Sequence, residues 1–110
     1  ITIKPYGGSP MYVCSKAYLN MYIKTISREL INHGIVVSGV LPGPVNINGK
    51  HWYKMKKNNK KLFNQYLENF LPSKKLAEPD DILPFIKLLI SEEAKYAAGT
   101  LIKIDGGSII

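Results

Sequence analysis

Tyr12 and Lys16 stand four residues apart in the stretch "YVCSK". Four residues is about one helical turn, so on a helix both side chains lie on one face. A phenol and an ammonium paired in this way are either surface decoration or an acid/base beside the charge that tunes it. An ordinary tyrosine, with a pKa near 10, exchanges protons poorly at neutral pH. A neighbouring cation stabilises a phenolate and brings that value down, and Lys16 is spaced to supply one.

The elements around the pair are read from local signals. Ser9-Pro10 reads as a helix N-cap followed by Pro at the first helical position. Leu19, Ile23, Ile26 and Leu30 then recur at helical steps and continue the face of Tyr12 and Lys16. Asn32-His33-Gly34 closes this helix, with Gly34 suited to the left-handed position after its end. "IVVSGVL", Ile35 to Leu41, is short, β-branched and apolar on both faces, as in a strand buried within a parallel sheet. It runs into "PGPVNI", a rigid turn at the strand's carboxyl end, the edge where open α/β sheets bind ligands.

Residues 48–77 read as a polar insertion holding one or two helices. "AEPDDILPFIKLLISEEA" predicts a helix over residues 79–91. Pro79, Asp80 and Asp81 mark its start, and Pro84 is still close to the first turn. Thr100 to Ile104 form a final strand before a Gly-rich turn. Residues 1–8 read as a strand end or loop with a turn at Tyr6-Gly7-Gly8. No internal repeat or linker is evident.

The 110 residues suffice for one small domain, and 45% hydrophobic with 21% charged residues is a globular composition. A run of about 18 apolar residues is absent, so no membrane span is expected. The start, "ITIKPYGG", lacks the features of a signal peptide, and a cytoplasmic location is the simplest reading. A single cysteine, Cys14, excludes an internal disulfide. It is a packing residue or a nucleophile, and no His, Asp or Glu close in sequence would activate it. His33 and His51 have no ligand spacing, so no metal is expected.

The formal charge is +7, and much of the lysine lies between Lys50 and Tyr66. Trp52, Tyr53, Phe63 and Tyr66, interleaved there, could stack bases. The alternative is a solvated helix face with its aromatics turned inward. The second reading is preferred, so no nucleic-acid partner is expected.

The chain resembles the C-terminal half of the short-chain dehydrogenase/reductases. "YVCSK" fits the family's Y-x-x-x-K, with a small residue, Ser15, before the lysine. "ELINHGIVVSGVLPGPV" fits the passage from the active-site helix through a strand to a P-G turn. "LAEPDDILPFIKLLISEEAKYAAGTLIKIDGG" fits the closing helix and final strand. Y-x-x-x-K alone is weak; the three together in this order are specific.

The resemblance implies an α/β fold, a doubly wound Rossmann-type parallel sheet, of which residues 1–110 are the C-terminal part. It implies an NAD- or NADP-dependent oxidoreductase acting on a small carbonyl or alcohol substrate. Tyr12 would be the acid/base, and Lys16 its electrostatic partner and a ligand of the cofactor ribose. Tyr12, Lys16, Pro42, Gly43, Val45 and Ile47 would meet the cofactor, a backbone N–H of the turn bonding the carboxamide and Gly43 allowing close approach. Residues 48–77 would be the substrate lid, with Trp52, Tyr53 and Met55 either lining the pocket or forming the lid's own core.

Two positions depart from the family pattern. Ile47 stands where Thr is frequent, and Ser38 where Asn is common. The family's Gly-rich loop and catalytic serine would fall ahead of Ile1; Ser9 matches the serine by residue type only. The 110 residues alone are therefore expected to be inactive, and a truncated, non-catalytic piece with a structural role is the alternative. The resemblance also implies a homodimer or homotetramer, assembled through the Tyr12 helix and the final strand.

Overall fold

The computed structural model describes residues 9–108, and the turn expected at Tyr6-Gly7-Gly8 lies outside them. The longest element, helix α1 (Pro10–Leu30), starts and stops where its local signals predict. Ser9 is its N-cap, and the Ser9 hydroxyl oxygen accepts from the Tyr12 N–H at 3.3 Å. A 3₁₀ turn (Ile31–His33) follows, and Gly34 ends it with φ 73°, the left-handed conformation that costs a residue with a Cβ.

Two short strands, β1 (Gly39–Pro42) and β2 (Leu101–Ile104), pair with each other. Gly39 N–H donates to the Thr100 oxygen and Gly43 N–H to the Ile104 oxygen, both at 2.9 Å. The register advances equally on both strands, so the pair is parallel. β1 thus begins later than the expected Ile35–Leu41. Residues 36–40 are half-buried rather than covered on both faces, because among the described residues the strand has one neighbour. A β-branched run signals strand preference, but the ladder reaches only as far as its partner does.

The polar insertion forms two helices, α2 (His51–Asn58) and α3 (Lys60–Phe70). Asn59 separates them and caps α3, its side-chain oxygen accepting from the Leu62 N–H at 3.2 Å. Helix α4 (Pro79–Leu89) has Asp80 and Asp81 in its first turn and is slightly shorter than expected. Pro84 lies inside it, which deprives the Asp80 carbonyl of a helical donor. A second 3₁₀ turn (Glu92–Ala94) precedes β2.

The described residues divide into two compact units: 9–40 with 87–102, and 41–86 with 103–108. In the first, Ser27 is the buried residue of α1, and a Cβ on Gly99 would sit 2.8 Å from its hydroxyl oxygen. In the second, Phe63, Leu71, Leu76 and Ile82 are buried and form the core. Burying each such side chain contributes about 1.5–3 kcal/mol.

Candidate functional site

The two groups of residues expected to do chemistry belong to different units. Tyr12 and Lys16 lie on α1 in the first; Pro42, Gly43, Val45 and Ile47 lie in the second.

Helical spacing brings Tyr12 and Lys16 together. The Lys16 Nζ stands over the Tyr12 ring, 5.5 Å from its centroid, within reach of a cation–π contact. Both side chains are exposed, Tyr12 by 56%. The Ser15 hydroxyl donates back to the Tyr12 carbonyl at 2.8 Å, so its proton is engaged along the helix. Cys14, between the pair, is exposed. Of the two readings of Cys14, packing is not seen: the half-buried positions beside it on α1 are Val13 and Ala17.

The turn after β1 offers few donors. Pro42 and Pro44 have no N–H, and the Gly43 N–H is given to Ile104. The Asn46 N–H goes to Ala77, which leaves the N–H groups of Val45 and Ile47, neither with a partner among the described residues. Pro42, Val45 and Ile47 line one apolar cleft of about 350 Å³, walled by Ile82, Leu83 and Ile86 of α4. Gly43 does not line it. A Cβ there would lie 2.8 Å from the Asp105 Cα and 2.9 Å from its Cβ, so the close approach that Gly43 permits is to the chain's own Asp105. Asp105 is held in turn by the Lys103 ammonium at 2.9 Å and by the Gly107 N–H at 3.1 Å.

Main-chain bonds tie this turn to the approach to α4. Ala77 N–H donates to the Pro44 oxygen at 3.0 Å and Asn46 N–H to the Ala77 oxygen at 2.8 Å, a parallel bridge at Val45. The Asn46 side chain adds a bond from Nδ2 to the Glu78 Oε1 at 3.1 Å. Asn46, Glu78 and Asp105 were not among the residues singled out in the sequence. Asn46 lies between two that were, and Asp105 opens the "DGG" turn; the Asn46–Glu78 bond and the close approach of Gly43 to Asp105 join positions far apart in the chain.

In the lid candidate, the Trp52 ring packs on Tyr66 with centroids 4.5 Å apart, and Tyr66 on Phe70 at 5.7 Å. Trp52 thus belongs to the packing between α2 and α3, and neither Tyr53 nor Met55 lines the apolar cleft. Burial pushes the Tyr66 phenol above its ordinary pKa. Residues 48–77 hold eight lysines against one acid, Glu68, a net of +7 that equals the whole chain's. These lysines are exposed. Among the described residues no group of His, Cys, Asp or Glu could hold a metal, and no helix is long and apolar enough to cross a membrane.

Comparison with known proteins gives consistent matches. A family model described as enoyl-(acyl carrier protein) reductase matches residues 2–108. The chain is 34% identical over 100 residues to a 3-oxoacyl-[acyl-carrier-protein] reductase of Staphylococcus epidermidis, covering 91% of this chain and 38% of that protein. It is 29% identical over 107 residues to an L-xylulose reductase of Caenorhabditis elegans, covering 96% and 40%. Among solved structures, the L-sorbose reductase of Gluconobacter frateurii, complexed with NADPH and L-sorbose, superposes with a TM-score of 0.82 at 30% identity. That match covers 96% of this chain and 42% of the other. The chain spans about two fifths of the length of the curated relatives it matches.

Proposed function

The chain belongs to the short-chain dehydrogenase/reductase family, and from that membership we propose that the full-length protein interconverts a carbonyl compound and its alcohol with NAD or NADP. Tyr12 is the acid/base in this reading. Its hydroxyl gives a proton to the carbonyl oxygen in reduction and takes one from the alcohol in oxidation. Lys16 holds positive charge beside the ring from which that proton leaves. The observation that carries the reading is this pair, set together on an exposed helix face one turn after a formed N-cap.

The second unit's residues fit a nicotinamide. Val45 and Ile47, whose main-chain N–H groups are unbonded, both line the apolar cleft, which suits a flat ring bearing a carboxamide. A bound nicotinamide would supply or accept the hydride. Val45 N–H would bond the carboxamide, Pro42 and Ile47 would give apolar contact, and Lys16 would bond the ribose hydroxyls. Gly43 acts indirectly, by letting the turn close on Asp105. The Ile47 side chain offers contact but no hydrogen bond, which leaves orientation to main-chain N–H groups of the turn, with Val45 preferred here. The NADPH in the L-sorbose reductase complex favours NADP among the two cofactors. The reductase names of the relatives favour a carbonyl substrate, and α2 with α3 serves as the lid over it.

Tyr12→Phe in the full-length protein tests the assignment, since it removes one hydroxyl from an exposed position. Turnover should fall by a factor of about 10²–10⁴, the usual scale of acid/base catalysis, with the melting temperature unchanged. Lys16→Ala should lower turnover and weaken cofactor binding together. Near-normal turnover in Tyr12→Phe would remove the catalytic role.

A further inference from the structure

Asn46 presents an inconsistency that the proposed chemistry does not use. Its Nδ2 donates to Glu78, yet its Oδ1 is buried and has no hydrogen-bond partner among the described residues. The reverse setting of the amide would put two acceptors face to face, so it offers no remedy. A buried acceptor left unpaired costs stability, and a leucine of similar size would avoid that cost. Groups retained at such a cost concentrate where geometry is constrained by function.

The surroundings say which geometry. The Asn46–Glu78 bond joins side chains 32 positions apart, whereas the side-chain pairs Lys74–Glu68 and Lys103–Asp105 are local. Glu78 is itself fixed, because its N–H donates to the Asp81 carboxylate at 2.7 Å, in the first turn of α4. A continuous path therefore runs from the start of α4 through Asp81 and Glu78 to Asn46, the residue next to Val45. The two main-chain bonds through Ala77 set the spacing of the turn. Both of these bonds end on one residue, Ala77, and the side-chain bond to Glu78 adds a separate point of attachment.

We propose that Asn46 and Glu78 are positioning residues whose hydrogen bond aims the Val45 N–H. The inference rests on the reading of Val45 as a cofactor contact. Neither side chain lines the apolar cleft, so both act through the turn and not by touch.

The test compares the full-length protein with Asn46→Leu, Glu78→Leu and Glu78→Gln. NADPH and NADH are titrated by fluorescence, and thermal melting is followed without cofactor. Asn46→Leu and Glu78→Leu should bind the preferred cofactor about tenfold more weakly, the scale of one lost hydrogen bond to a charged group. Asn46→Leu should melt no lower than the parent, because it also removes the unpaired acceptor. Glu78→Gln keeps an acceptor oxygen and should bind within about twofold of the parent. Unchanged affinity in Asn46→Leu would overturn the inference, as would a loss of affinity that tracks a fall in melting temperature. Equal losses in Glu78→Gln and Glu78→Leu would overturn it too. If the parent binds neither nucleotide, this inference and the cofactor reading fall together. If Tyr12→Phe abolishes turnover while Asn46→Leu binds normally, only the inference falls.

Discussion

Among the described residues, the four buried large apolar side chains all belong to the second unit, and the first unit has none. The first unit instead exposes Met11, Tyr18, Met21 and Ile90 to more than half their area, while its one buried residue on α1 is a serine. The two units also hold their functional groups differently. Tyr12 and Lys16 meet because a helix repeats every 3.6 residues, and that helix is framed by its own N-cap and Gly34. The turn from Pro42 to Ile47 is set by Asp105, Ala77 and Glu78, none of them near it in sequence. The pair proposed as acid/base is thus positioned by local rules on an element that buries little, whereas the proposed cofactor donor has a packed scaffold behind it.

A helix of 21 residues with Tyr18, Met21 and Tyr22 exposed leaves apolar area to be covered. We propose that a second copy of the protein covers it, as the family resemblance implies. This gives the largest expected effect. Sedimentation of the full-length protein should show a dimer or tetramer at micromolar concentration. Tyr18→Glu with Met21→Glu should shift it to a smaller species, while Tyr12 and Lys16 remain in place on the same helix. A parent protein that sediments as a monomer would defeat this account of the exposed face.

The next effect sets one glycine of each unit against the other. Gly34 has φ 73°, and a Cβ added there would meet nothing within 4 Å, so Gly34→Ala meets only the backbone penalty, about 1–2 kcal/mol. Asn, which tolerates this conformation, should recover much of it. Gly43→Ala meets the Asp105 Cα at 2.8 Å, and backbone must move. Overpacking of this kind costs about 1–3 kcal/mol, occasionally more, and Gly43→Asn should be worse, not better. Denaturant unfolding measures both series. Equal responses to Ala and Asn at the two positions would erase the distinction between a conformational and a packing requirement.

These contrasts explain what could be read from the sequence. The N-cap at Ser9, the closing Gly34 and the acidic start of α4 are local signals, and the elements they bound formed as expected. The strand expected from Ile35 begins at Gly39, because its extent depends on a ladder with β2 about sixty residues away. The Tyr12–Lys16 pair was legible because its spacing is the helical repeat. The partners of Gly43 and Asn46 were not, since residue type names neither Asp105 nor Glu78 as a neighbour. Ambiguity over Trp52 had the same source: an aromatic in a basic segment suits a pocket or a helix–helix contact equally until its partner, Tyr66, is known.

The smallest expected effect reads the packing of the second unit through Tyr66. Its ring lies between Trp52 and Phe70, and burial disfavours the phenolate, raising the pKa above the ordinary value of 10.0. The folded protein therefore keeps this proton at pH values where the unfolded chain releases it. By linkage, the stability tied to the neutral phenol is fully present below about pH 10 and is lost as pH rises through the folded value. Tyr66→Phe keeps the ring and removes the titrating group, so its melting temperature should fall less steeply than the parent's above about pH 10. Lysine deprotonation in the same range is common to both proteins and cancels in the difference. Parallel melting curves for the two proteins across that range would mean that the Trp52–Tyr66–Phe70 contact does not shield the phenol, and that α2 and α3 are less closely packed than the four buried residues of the second unit imply.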